Sequence, residues 1–203
     1  MTNEADWIRE ARAGDQSAFG RLVMAYQKPV YNLTYRMLGN AAEAEEAAQE
    51  TFLRAYTHLG SYDPKRPFRS WLLSIASHYC IDRLRRRRIT WLPLEDEIAT
   101  VDGAAEISPR AQGEGLTPVN LASETPNPET TVVREEREAL IQQLLDSLSP
   151  TDRAAITLLY WYDCSYKEIA ETLDLTVSAV KSRLHRARRA LAERIEGETS
   201  YAL

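Results

Sequence analysis

Little in these 203 residues can make or break a covalent bond. Cysteine occurs only at Cys80 and Cys164, and histidine only at His58, His78 and His185. Two thiols do not make a disulfide framework, and both are read as ordinary core residues. No CxxC, HxxxH or HExxH spacing exists, so neither a metal site nor a cofactor is expected. There is no P-loop, no Rossmann glycine pattern and no nucleophile–base pattern, so an enzyme is not expected and no catalytic residue is nominated. The paired acids Glu45-Glu46 read as the solvated side of a helix. No apolar run approaches the 18 or more residues of a membrane span, and residues 1–10 lack the apolar stretch of a signal peptide. These absences predict a cytoplasmic protein without membrane insertion.

Charge is distributed unevenly. The net charge is −5, yet between Asp96 and Val133 seven acids face a single base, Arg110, which leaves the rest of the chain slightly positive. Local field steers a polyanion, so an acidic total does not exclude nucleic acid. That acidic stretch also holds Pro109, Pro118, Pro126 and Pro128 with Gly103, Gly113 and Gly115. It has no helical period and few large apolar residues to offset its ordering entropy. Residues 96–131 are therefore expected to be a flexible acidic linker between a domain at 1–95 and another at 132–203.

On both sides the apolar residues recur at helical spacing. Phe19, Leu22, Val23, Tyr26, Val30, Leu33 and Met37 follow three- and four-residue steps behind a capping Asp15 or Ser17. Pro29 is a candidate kink, and Gly39-Asn40 a terminator. A second helix is predicted over about residues 42–59, with Ala44, Ala48, Thr51, Phe52, Ala55 and Leu59 inward. Asp63-Pro64-Lys65-Arg66-Pro67 reads as a loop, and a third helix follows to about residue 87. Helices are also expected near residues 132–147, 151–162, 166–173 and 177–196. No segment alternates at period two, so the expected class is all-α, in two small helical domains.

Near the C-terminus, Ser165-Tyr166-Lys167-Glu168 has the form of a capping box opening a short helix. Asp174-Leu175-Thr176 makes a turn, and Thr176 can cap a longer helix. Short helix, tight turn and longer helix is the helix-turn-helix pattern. The outer side of the longer helix carries Ser178, Lys181, Ser182, Arg183, His185, Arg186, Arg188 and Arg189. Arg and Lys bond guanine edges or phosphates, and a recognition helix reads bases with its N-terminal half. Ser178, Lys181, Ser182, His185 and Arg186 are thus candidate base readers. Arg188, Arg189 and Arg194 fit backbone or solvent. A basic helix end would also suit the helix dipole alone, but here caps, turn and basic face agree.

The N-terminal half has its own basic run, Arg83 and Arg85-Arg86-Arg87-Arg88, preceded by Tyr62, Phe68, Trp71, His78 and Tyr79. Cations interleaved with rings suit single-stranded nucleic acid, whose bases stack on aromatics for about 1–3 kcal/mol each. Phe68 and Trp71, taken individually, read more readily as core.

Three segments together resemble the sigma-70 family, in its extracytoplasmic-function group. Residues 44–56, AEEAAQETFLRAY, look like region 2.2. Phe68-Arg69-Ser70-Trp71-Leu72-Leu73-Ser74-Ile75-Ala76, continuing to Asp82-Arg83-Leu84-Arg85-Arg86, looks like regions 2.3 and 2.4. Residues 180–188, VKSRLHRAR, are similar to region 4.2. The likeness covers about residues 5–90 and 132–195 in the family's order.

The resemblance implies a factor that binds RNA polymerase core and directs promoter recognition, melting and initiation. Glu46, Gln49, Glu50, Leu53 and Arg54 would dock on the clamp coiled coil of polymerase β′, and the C-terminal domain on the β flap. Tyr62, Lys65, Arg69, Trp71, Ser74, His78, Tyr79, Arg83, Arg85 and Arg86 would bind the melted minus-ten element, and the C-terminal helix the minus-thirty-five element. An anti-sigma factor is an expected further partner. The linker would thread the polymerase cleft, and its 36 or so residues reach roughly 120 Å when extended. Two elements about two helical turns apart are roughly 70 Å distant, within that reach. One position departs from the group, which usually has Asn where this chain has His78. Imidazole donates and accepts but lacks the paired geometry of an amide, which bears on the preferred minus-ten base.

Two alternatives fit parts of the chain. A free-standing helix-turn-helix regulator would bind duplex DNA alone, as a dimer on a palindrome, but leaves the basic-aromatic N-terminal half unexplained. A purely helical interaction protein leaves the basic recognition face without a use.

Overall fold

The computed structural model describes residues 3–90 and 128–200. Its helices are α1 (Glu4–Arg12), α2 (Gln16–Leu38), α3 (Ala41–His58), α4 (Phe68–Thr90), α5 (Pro128–Asp146), α6 (Pro150–Tyr162), α7 (Tyr166–Thr172) and α8 (Val177–Ser200), with one 3-10 turn at Leu59–Ser61. No strand occurs among the described residues, and the all-α class in two helical domains holds. The acidic linker of residues 96–131 lies, but for its last four residues in α5, outside the described residues.

The helices begin and end where local chemistry satisfies their orphan groups. Asp15 accepts the Ser17 and Ala18 N–H groups at 2.8 and 3.2 Å, starting α2. Gly39, at φ 75°, ends it by donating to the Tyr35 carbonyl at 2.8 Å, a backbone conformation that favours glycine. Pro29 lies inside α2 without ending it. Asn40 then accepts the Glu43 N–H at 3.1 Å and opens α3.

The N-terminal unit packs α2, α3 and α4 around Leu22, Leu33, Met37, Phe52, Leu72 and Leu73. Inward residues of α3 are mostly small (Ala44, Ala47, Ala48, Thr51 and Ala55), so its backbone approaches α2 closely. There the buried Thr34 hydroxyl donates to the Ala44 carbonyl at 2.8 Å. α1 covers one end of this bundle with Ile8 and Ala11.

In the C-terminal unit, Ser149 accepts the Asp152 N–H at 3.2 Å, and Pro150 occupies the first turn of α6, where its missing donor costs nothing. The Ser165 hydroxyl accepts from the Glu168 N–H at 3.3 Å while Glu168 accepts the Ser165 N–H at 2.8 Å, the reciprocal cap foreseen from sequence. Thr176 accepts the Ala179 N–H at 3.1 Å and starts α8. Ile169, Ala170 and Leu173 meet Val180, Leu184 and Ala187 in the core that sets the angle of α7 to α8.

The two units touch. Arg153 of α6 is only 3% exposed. Its Nε donates to the Arg36 carbonyl at 2.7 Å, and its Nη1 pairs with Asp146 of α5. A buried guanidinium is tolerated only with such partners, because leaving it unpaired would cost several kcal/mol. The Tyr162 hydroxyl donates to the Pro29 carbonyl at 2.5 Å, and the Arg36 guanidinium lies 4.1 Å from the Trp161 ring centre.

Candidate nucleic-acid interface

Helix α8 sorts its side chains by period. Val180, Leu184 and Ala187 are buried against α6 and α7. Ser178, Lys181, Ser182, His185 and Arg186 are exposed on the opposite side. Arg188 is exposed too, but its Nε donates to the Tyr160 hydroxyl at 3.1 Å. Arg189 pairs with Glu193 at 2.7 Å. Arg183 differs from its neighbours: it is half-buried and donates to the Asp152 carboxylate of α6 at 3.0 Å. The structure thus brings the sequence-nominated cations to one helix and turns Arg183 toward the unit's own interior.

The second basic region is built on α4 and the loop before it. Tyr62 is buried, with its hydroxyl donating to the Arg66 carbonyl at 2.5 Å. Its ring, with those of Phe68 and Trp71, forms a cluster with centroids 5.1–5.5 Å apart. Tyr62 is therefore part of the core that positions the loop, and Trp71 is half-buried at its edge. Lys65 and Arg69 are exposed, whereas Ser74 and His78 are half-buried. Trp71, Ser74 and His78 line a cleft of about 390 Å³, together with Arg54, His58, Arg66, Ile75, Glu171 and Asp174. The His78 Nδ1–H donates to the Ser74 carbonyl at 2.8 Å. Arg54, His58 and Arg66 join this cleft although sequence reading did not assign them to it. The signal available for Arg66 was its place among the cations Lys65, Arg66 and Arg69.

Further along α4, Arg83 donates to the Glu46 carboxylate at 2.8 Å and to the Tyr79 hydroxyl at 3.2 Å. The hydrogen bond from Arg83 holds the Glu46 carboxyl below the usual range although the group is exposed. Arg85 and Arg86 are exposed, and the Arg85 guanidinium lies 3.5 Å from the Thr151 hydroxyl.

On α3 the outward residues nominated for docking form one stripe. Glu46, Gln49, Leu53 and Arg54 are exposed and Glu50 is half-buried. Leu53 is 60% exposed, and Tyr56 beside it 42%, an apolar pair left open on an otherwise charged helix. Arg54 pairs with Glu50 at 2.7 Å and stands over the Tyr79 ring, 4.9 Å from its centre. Among the described residues no cluster of His, Cys, Asp and Glu could hold a metal ion, and no helix is long and apolar enough to cross a membrane.

Comparison with known proteins decides what these faces belong to. The profile of Sigma-70 region 2 matches residues 22–89, and that of Sigma-70, region 4 matches residues 138–191. The ECF RNA polymerase sigma factor SigW of Bacillus subtilis is 37% identical over 188 residues, spanning 93% of this chain and 94% of that protein. The chain belongs to the extracytoplasmic-function sigma factors. It is a promoter-directing sigma factor, of a class of initiation factors that are not enzymes. A second relative, ECF RNA polymerase sigma factor SigE of Mycolicibacterium smegmatis, is 31% identical over 211 residues, spanning 97% of this sigma factor and 74% of that one. Among solved structures, CnrH in complex with the cytosolic domain of CnrY superposes with a TM-score of 0.64 at 24% identity, covering 94% of this chain and 96% of that one. The sigma factor RpoE in complex with the anti-sigma factor NepR from Bartonella quintana gives 0.57 at 20% identity, covering 88% and 96%. Both share the fold of this sigma factor.

Proposed function

We propose that this sigma factor divides promoter reading between its two units and docks on polymerase through α3. The exposed basic face of α8 carries this reading. Ser178, Lys181, Ser182, His185 and Arg186 occupy the half of the helix that enters a major groove, where side chains reach base edges of the minus-thirty-five element. Arg188 and Arg189, farther along and already held by Tyr160 and Glu193, contact phosphate.

The loop from Ser61 to Phe68 and helix α4 take the opened non-template strand of the minus-ten element. One base flips toward the loop, at a cost of a few kcal/mol in unstacking. Stacking near Trp71 and phosphate contacts from Lys65, Arg69, Arg85 and Arg86 offset that cost. His78 faces the cleft where a base edge would be read. The α3 stripe of Glu46, Gln49, Glu50, Leu53 and Arg54 docks on the β′ clamp coiled coil, with Leu53 as apolar anchor, and the C-terminal unit meets the β flap. An anti-sigma partner covering these same faces is the regulator this reading implies. RpoE, of the same fold, is solved with such a factor.

Run-off transcription with purified core polymerase, followed by sequencing of the transcript starts, tests the proposal. Starts that appear only with this chain, and that shift when Arg186 is replaced, are the expected result. Starts that do not depend on the chain would refute it.

A further inference from the structure

The fold fixes the hydrogen-bonding sense of the His78 ring. Trp71, Ser74, Ile75 and His78 line one side of the 390 Å³ cleft. Their three- and four-residue spacing puts them on one face of α4. The Ser74 hydroxyl donates to the Trp71 carbonyl at 2.7 Å, and His78 Nδ1 lies 2.8 Å from the Ser74 carbonyl. A carbonyl oxygen only accepts, so Nδ1 carries the ring proton. A neutral imidazole has a single such proton, which leaves Nε2 as a lone pair.

Nε2 points away from α4 into the cleft. The Asp174 carboxylate, in the turn between α7 and α8, lies 3.5 Å from it and marks that direction. The imidazole is 43% exposed, so a base edge entering the cleft meets the ring's acceptor and not its donor. Asp174 on its own would favour a second ring proton, but a base in the cleft takes its place. The groups that α3 and the loop keep beside the ring include Arg54 and Arg66, and next to two guanidinium groups a neutral ring adds no repulsion.

Bases differ at one corner that their Watson–Crick and major-groove edges share. Adenine and cytosine carry an amine there, N6 or N4, and guanine and thymine a carbonyl oxygen, O6 or O4. A lone pair is satisfied by the amine and repelled by the oxygen, whichever edge is presented.

We propose that His78 reads one base of the minus-ten element by its amine, accepting from adenine N6 or cytosine N4 and rejecting guanine and thymine. This rests on the reading of α4 given above and adds the chemical class of base that the cleft takes.

Run-off transcription from a promoter library randomised through the minus-ten element tests this, with purified core polymerase at about pH 8, where free imidazole is neutral. At one position, starts with adenine or cytosine should exceed those with guanine or thymine by at least about fivefold, the worth of one hydrogen bond. His78→Asn should bring that ratio below about twofold and leave the other positions unchanged. A primary amide holds both a donor and an acceptor and can turn to meet either corner group. A second measurement needs no variant. Purine lacks the amine, and in place of adenine at that position it should lower initiation by the original chain about fivefold.

A preference for guanine and thymine would mean that Nε2 carries a proton, and would overturn the proposal. An amine preference that survives His78→Asn would overturn it too, by assigning the reading to another residue. Initiation that depends on the chain but shows no such preference at any position would sink this inference and leave the reading of α4 standing. Initiation that does not depend on the chain would sink that reading itself.

Discussion

Arg183 and Arg186 stand three positions apart on one helix, and the structure gives them different work. Arg183 donates to Asp152 at 3.0 Å, with side chains 29% and 15% exposed, whereas Arg186 is exposed on the outer face. A hydrogen bond to a charged group is worth about 1.5–3 kcal/mol when sheltered, and an exposed ion pair about 0.2–1 kcal/mol. The Arg183 pair lies between, so Arg183→Ala should destabilise the C-terminal unit by about 1–2 kcal/mol. Arg186→Ala should leave stability within about 0.5 kcal/mol yet cost about 1–3 kcal/mol in binding of promoter duplex, with relaxed preference at one upstream position. Urea titration followed by helix circular dichroism measures the first effect as a lower midpoint with unchanged slope. Anisotropy on the duplex measures the second. A double-mutant cycle with Asp152→Ala should return a coupling of about 1 kcal/mol. If Arg183→Ala leaves the midpoint alone and weakens DNA binding as Arg186→Ala does, the inward pairing is wrong and Arg183 belongs among the DNA contacts.

Gln49→Ala with Leu53→Ala, both on the open stripe of α3, should leave the urea midpoint within about 0.5 kcal/mol while reducing co-purification with core polymerase; undiminished co-purification would place the docking face elsewhere. Ser165→Ala should cost about 1 kcal/mol, because α7 is short and loses the hydroxyl half of its cap, and thermal melts check it. Glu168 is held below the usual carboxyl range by the Ser165 hydroxyl and then by the Ser165 N–H, so its contribution is present above the ordinary glutamate range and lost as pH falls through its lowered value. The original chain should therefore lose more stability between neutral and acid pH than Ser165→Ala does. Burial pushes the Cys80 thiol up to about 12, so it stays neutral in the fold while an unfolded chain ionises near 8.5. Stability contributed by that neutral thiol is present below the ordinary thiol range and lost as pH climbs from there toward 12, and at pH 8 Cys80 should resist a thiol reagent until urea opens the chain.

Much of the fold was legible because it is written in short-range signals. Asp15, Ser165 and Thr176 each sit where a cap was expected, and each accepts the backbone N–H of the turn it opens. The inward stripe of α3 followed from its period. α1 was not foreseen, since it buries only Ile8 and Ala11 and reads as a polar, acidic start. α2 runs through Pro29, the candidate kink, where packing on both sides outweighs one lost hydrogen bond. Arg183 was grouped with the DNA contacts by charge. Its place three after Val180 and four before Ala187 puts it on the flank of the buried stripe, a signal that period alone supplies. The contact between the units was out of reach, because it rests on Arg153, whose type predicts solvent, and on carbonyls of α2 that no side-chain pattern reports.

The ion pair between Glu46 and Arg83 joins two helices for which different tasks are proposed. Any incoming cation that claims the Glu46 carboxylate on α3 sets the Arg83 guanidinium on α4 at liberty, one step from the basic run that follows it. If α3 docks on polymerase and α4 takes the strand as proposed, the two draw on shared charge: whatever neutralises the one surface makes its neighbour more attractive to a polyanion, and the order of assembly would be biased without any change of backbone.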